Sequence, residues 1–278
     1  MTYDVLGAGA LDYMPCRYDG SKLLFRGPER RLDAPYVAFL GGTATYGKFI
    51  KAPFPALVES GLGVNCINFG IANAGVDVLL NDSFLTAACC GAEVTVMQII
   101  GTQNLSNRFY TVHPRRNDRF VRASALLASI YPEVDFAEFH FNKHMLGRLY
   151  NVSADRFLAV RKELQTAWLA RMKLLLRQVT GKVVLVWFAD HAPMSNGTAS
   201  LDPVNAASPL FVTRELLEAL KQDAAAYVEV VATPESADAA TEGMVFSQME
   251  APAAAEMMGP RAHGELAHTL GQVLQDLV

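Results

Sequence analysis

The sequence predicts a parallel α/β fold with helices on both faces of the sheet. Short apolar runs of strand length recur at Tyr36–Leu40, Val64–Phe69 and Glu93–Ile100, with helical stretches between them. Each run ends in a loop of glycine and small polar residues: Gly41-Gly42-Thr43, Asn68 to Gly75, and Gly101-Thr102-Gln103-Asn104. A later run, Val183–Phe188, leads into Asp190-His191-Ala192-Pro193. Open parallel sheets hold ligands at the carboxyl ends of their strands, so these loops are expected to build one crevice.

Composition bounds the function. With 51% hydrophobic and 19% charged residues, the 278-residue chain can bury a full core and is not a disordered chain. A net charge of −4 argues against a general nucleic-acid partner. No apolar run reaches the roughly 18 residues of a membrane span. Met1-Thr2-Tyr3-Asp4 lacks a basic region followed by an apolar stretch, so no signal peptide is expected. Cys16, Cys66, Cys89 and Cys90 form no Cys-x-x-Cys pair, and a reduced, cytoplasmic protein is the expectation.

Residues 1–35 read as an irregular extension packed over the rest. Val5-Leu6-Gly7-Ala8-Gly9-Ala10 lacks the third glycine of a dinucleotide-binding opening. Val37 to Leu40 is too short for a helix, and two glycines end it before the hydroxyl of Thr43. A helix is expected near Pro55–Ser60, stopped by Gly61-Leu62-Gly63. Another runs from Val76 to about Cys90, with Asp77 complementing its dipole. Asn107–Phe120 gathers four arginines, His113 and three aromatics in an acidic chain. It reads either as an anion clamp beside the crevice or as a solvated basic loop. Val121–Tyr150 reads as a helical insertion, serving as a lid or a dimer surface. His140 and His144 are expected on one helical face as surface or packing residues, with no metal. Ala154–Val179 is the clearest helix, with Leu158, Leu164, Trp168, Met172 and Leu175 along one side. Asn196–Pro209 is a turn-rich loop, Thr213–Asp223 a helix, Tyr227–Ala232 a strand and Thr233–Pro252 a loop. A terminal helix opens in Gly259–His268. Nothing separates two domains, so one domain spanning 1–278 is expected.

Together these blocks resemble the SGNH (GDSL-like) hydrolase superfamily. The resemblance implies a three-layer α/β/α flavodoxin-like fold, to which the basic loop and helical insertion at about residues 107–150 are added. Leu40-Gly41-Gly42-Thr43-Ala44-Thr45-Tyr46-Gly47 matches the frame of the family's Gly-Asp-Ser block. Asn68-Phe69-Gly70 through Gly75 resembles its second block, Gly101-Thr102-Gln103-Asn104 stands at its third, and His263 stands at its Asp-x-x-His. The departures are Thr43 for the serine, Gln103 at the asparagine position, and Pro260 for the aspartate three residues before His263. The chain is also similar to a family of this length that shares the Thr-x-Thr-Tyr-Gly turn and the stretch His113 to Phe120.

The resemblance implies an acyl-ester hydrolase or acyltransferase acting on an anionic small-molecule, lipid or carbohydrate substrate. Thr43 would be its nucleophile and His263 its base, with Asp190 replacing the missing acid. Gly75 N–H with Gln103 or Asn104 would hold the oxyanion. Arg115, Arg116, Arg119, His113 and Tyr46 would bind substrate, without cofactor or metal. One alternative is a transferase with a phosphate- or sulfate-bearing donor, in which His191 or His263 activates an acceptor hydroxyl. Another is an inactive binding protein on the same fold. Homo-oligomerisation through the insertion stays open.

Overall fold

The computed structural model describes residues 10–278. The chain forms β1 (Val37–Gly41), β2 (Cys66–Gly70), β3 (Val94–Gln98), β4 (Tyr110–His113), β5 (Arg116–Ala123), β6 (Lys182–Ala189) and β7 (Ala226–Val231). Five of these make a parallel sheet in the order β2-β1-β3-β6-β7, and β4 and β5 form a separate antiparallel hairpin. The order reverses direction at β1, which makes the carboxyl ends of β1 and β3 the switch point where sheets of this kind place their ligands.

Period-two alternation along each strand divides the core. Val37 and Phe39 of β1, with Val184, Val186 and Phe188 of β6, face helices Phe54–Leu62 and Pro260–Gln275. Ala38, Leu40, Leu185 and Trp187 face the other way, against helices Val76–Asn81, Ser83–Cys90, Ala154–Gln178 and Arg214–Lys221. Both sheet faces are covered, which is why the strands read as unbroken apolar runs. The fold is therefore the expected three-layer α/β/α arrangement. Among the described residues no helix is long and apolar enough to cross a membrane.

Several local expectations are corrected. The helix expected over Val76–Cys90 is two helices. Asp82 is extended and caps the second by accepting from Leu85 N–H at 3.1 Å. The basic stretch is a β-hairpin rather than a loop: Val112 and Phe120 pair and turn inward, leaving the arginines outside. Residues 121–123 complete β5, and the first insertion helix starts only after Ser124, its cap, at Ala125. His140 precedes the helix Asn142–Val152, so it does not share a helical face with His144. On the long helix Ala154–Gln178 the buried side begins at Phe157 and Val160, while Leu158 is half exposed. The stretch after β7 holds short helices at Pro234–Asp238 and Ala251–Ala255. From residue 10 to 35 the extension has no helix, and a single bridge joins Cys16 to Phe25. The glycine pair at Gly7 and Gly9 lies outside the described residues.

The insertion has its own core. Tyr110, Val112 and Phe120 of the hairpin pack with Leu127, Leu146, Leu149 and Phe157. That cluster is separate from the two that flank the sheet, so the hairpin must be joined to the crevice by other means.

Candidate functional site

The turn after β1 is fixed by a buried amide at the end of β3. Gln98 Oε1 accepts from Gly42 N–H at 3.1 Å, Thr45 N–H at 3.2 Å and Thr45 Oγ1 at 2.7 Å. An alanine Cβ at Gly41 would lie 2.2 Å from Thr45 Oγ1 and 2.7 Å from Gln98, so only glycine allows the contact. This holds Thr43 half-buried at the carboxyl edge. Its Oγ1 accepts from Asn73 N–H at 2.9 Å and donates to Asn73 Oδ1 at 3.4 Å. Asn73 is left-handed, with φ 57°, a conformation tolerated by asparagine better than by most residues.

Behind Asn73 runs a chain of amides. Asn104 Nδ2 donates to Asn73 O at 3.3 Å, and Asn104 Oδ1 accepts from Asn142 Nδ2 at 3.1 Å. Asn142 Nδ2 also donates to Asn117 O at 2.5 Å. Asn117 Oδ1 then accepts from Gly75 N–H at 3.1 Å and Val78 N–H at 2.9 Å. Asn117 belongs to the hairpin, yet it caps the helix that begins at Val76, a helix with no cap of its own. Asn117 and Asn142 are wholly buried. They join hairpin and insertion helix to the loop that holds Thr43.

Two of the three expected oxyanion donors are engaged elsewhere. Gly75 N–H, assigned to it from the sequence, is consumed by Asn117. Gly75 must be glycine for another reason, since a Cβ there would sit 1.4 Å from Asn104 O. Asn104 is spent on Asn73 and Asn142. Gln103 is half-buried with its Oε1 sealed and unpartnered, and its carbonyl accepts from Tyr110 Oη at 2.6 Å.

His263 departs furthest from expectation. It lies close to the level of the strand ends, for it touches Phe188, two residues beyond the Val186 that pairs with Gln98. Its ring is 1% exposed and packed 5.7 Å from Phe54 and 5.3 Å from Phe188, centre to centre. Nδ1 accepts from Phe54 N–H at 3.1 Å, the first N–H of helix Phe54–Leu62. A neutral imidazole that accepts at Nδ1 carries its proton on Nε2. Burial, and secondarily the positive charge of Arg26, push its pKa down to about 3. The helix N-terminus disfavours the imidazolium as well. A general base needs a free lone pair at Nε2, and this tautomer has none there. Among the described residues no hydrogen bond joins His263 to Thr43 or to Asp190, which is exposed.

The remaining expected residues divide. Arg115 and Arg116 are exposed at the hairpin tip, with no ion pair among the described residues. Their backbone N–H groups both donate to His113 Nδ1 at 3.2 Å, which closes the turn. Asn117, the next residue, ties that tip to the Gly75 loop at the crevice rim. Arg119 is turned aside, 4.0 Å from Asp118 and over the Phe141 ring. Tyr46 is turned away too: its ring packs 5.1 Å from Tyr13, and burial pushes its hydroxyl up to about 12. His191 is half-buried. Its Nδ1 meets Ala192 O at 2.9 Å, which places a proton on Nδ1 and leaves Nε2 sealed with a free lone pair.

A family model described as Domain of unknown function (DUF6473) matches residues 1–278. The chain belongs to that family. No match was found among curated proteins. Two solved structures are similar to this DUF6473 chain at low identity. The lipase Lip_vut3 from a goat rumen metagenome is 14% identical over 88% of this chain and 97% of its own, with a TM-score of 0.37. BT4096, a gut microbial diltiazem-metabolizing enzyme, is 10% identical over 87% of this chain and 47% of its own, with a TM-score of 0.35. Neither likeness carries the functional reading, which rests on the chain's own residues.

Sequence reasoning missed Gln98, Asn117 and Asn142. Gln98 had a signal, a lone amide ending an apolar strand. Asn117 lay hidden among arginines, and Asn142 in a stretch read for its histidines.

Proposed function

We propose that this chain is a ligand-binding protein on an SGNH-like fold. Its crevice holds a small molecule with an anionic group and does not hydrolyse esters through Thr43 and His263. One observation carries the reading: the His263 lone pair that an acyl-transfer base would use is replaced by a proton, because Phe54 N–H occupies Nδ1. The crevice keeps binding chemistry instead. Thr43 and Asn73 present a hydroxyl and an amide, and Arg115 and Arg116 bring uncompensated positive charge to the rim. Guanidinium groups suit phosphate, sulfate or carboxylate equally. The test pairs two assays. Turnover of p-nitrophenyl acetate should not exceed background. Phosphate, sulfate or a carboxylate should raise the melting temperature of the native chain and not of Arg115→Ala/Arg116→Ala. Ester turnover that Thr43→Ala abolishes would overturn the reading.

His191 favours a second reading, a non-covalent transferase. Its Nδ1 is held by a carbonyl, so Nε2 carries an unpartnered lone pair, the tautomer a base requires, though the atom is buried and must be uncovered to meet an acceptor hydroxyl. Under that reading a phosphate- or sulfate-bearing donor turns over, and His191→Gln stops it without weakening donor binding.

A further inference from the structure

The hairpin has an inner and an outer side. Tyr110, Val112 and Phe120 are buried inward. The register slips between Thr111 and Val112, so Phe120 faces Val112 while Arg122 faces Thr111. The extra residue, Val121, bulges outward with 52% of its surface exposed. Beside it the backbone of Arg119 bridges to that of Phe141, and the Arg119 guanidinium lies 4.0 Å from the Phe141 ring centre. Phe141 is itself 42% exposed. Arg122 is exposed and has no ion pair among the described residues.

Charge is segregated along the chain in the same sense. Residues 107–150 hold seven Lys and Arg against four Asp and Glu, a net +3. The whole chain is −4, which leaves −7 for the rest. This outer side therefore calls for two things at once: a counter-charge, since Arg122 has none among the described residues and Arg119 has Asp118 alone at 4.0 Å, and an apolar cover for Val121 and the exposed part of Phe141. A nucleic acid or an acidic polypeptide supplies mainly the first. An anionic bilayer supplies both, phosphate at headgroup level and an apolar boundary just beneath it.

We propose that the outer side of the hairpin, Arg119, Val121, Arg122 and Phe141, docks on an anionic lipid bilayer. This goes beyond the crevice reading and does not depend on it, since none of the four residues lies in the Thr43 site.

Vesicle flotation tests it with the full chain. Native protein should float with phosphatidylcholine vesicles containing phosphatidylglycerol, not with phosphatidylcholine alone, and high salt should release it. Arg119→Glu/Arg122→Glu should weaken binding by about tenfold or more. Val121→Ser should weaken it several-fold at unchanged charge, with a native melting curve as evidence of folding. Lys22→Glu/Lys51→Glu, an equal charge change at exposed positions elsewhere, should leave it as it is. No flotation of native protein at low salt overturns the proposal, as does equal loss in Lys22→Glu/Lys51→Glu. Capture on polyglutamate without flotation also overturns it and assigns the face to an acidic protein.

Discussion

Thr43 and His263 stand close to the same end of the sheet, and the chain treats them in opposite ways. Thr43 is half open, at the switch-point edge of the sheet, with its hydroxyl shared only with Asn73. His263 is closed between two phenyl rings and bonded to a helix terminus. In a triad enzyme the two would be partners. Here one belongs to the surface chemistry of the crevice and the other to the core. The presence of a histidine at a motif position therefore does not determine its role. That depends on which atoms face its two nitrogens.

The largest effect that would break this contrast is on stability. His263→Ala should cost about 3 kcal/mol, from a cavity between Phe54 and Phe188 and an unpaired buried N–H. Urea unfolding measures it. A loss as small as that of a surface residue would mean the ring is not core.

Acid sharpens the contrast next. The unfolded histidine titrates near its ordinary 6.5, and the folded one near about 3. Above 6.5 both states are neutral. Below it the unfolded state binds a proton that the folded state refuses, so stability falls with pH through the window from 6.5 to about 3. The slope from this group is about 1.4 kcal/mol per pH unit. Urea midpoints across pH should lose that component in His263→Asn.

Asn142→Ala should follow, at about 1–3 kcal/mol, because Asn104 Oδ1 and Asn117 O lose their shared donor. Hydrogen exchange should quicken in residues 70–78 and in the hairpin together. Exchange that changes in only one of them would disprove the amide link.

Thr43→Val should show the smallest effect on folding, within about 1 kcal/mol, since only two half-open hydrogen bonds, both with Asn73, are removed. Anion-induced thermal shifts should nonetheless shrink. An unchanged shift would remove Thr43 from the site.

Much of the fold was legible because strands buried on both faces announce themselves as apolar runs broken by glycine. The hairpin was not. Its inward residues, Tyr110, Val112 and Phe120, are interleaved with arginines and interrupted by a bulge, which hides the period of two. Within the site, Thr43 and the Asn68–Gly75 loop were visible as strand-end chemistry. The amide chain was not, because Asn104, Asn117 and Asn142 are distant in sequence and meet only through tertiary packing. The state of His263 was equally hidden, since it depends on Phe54 N–H, 209 residues away.

The most direct test is an NMR titration of the His263 ring in uniformly labelled protein. A neutral ring protonated at Nε2, with nitrogen shifts constant from neutral pH down to about pH 4, is the predicted result. A proton on Nδ1, or a titration midpoint near 6.5, would contradict the assignment of His263 as a capping residue and restore it as a base.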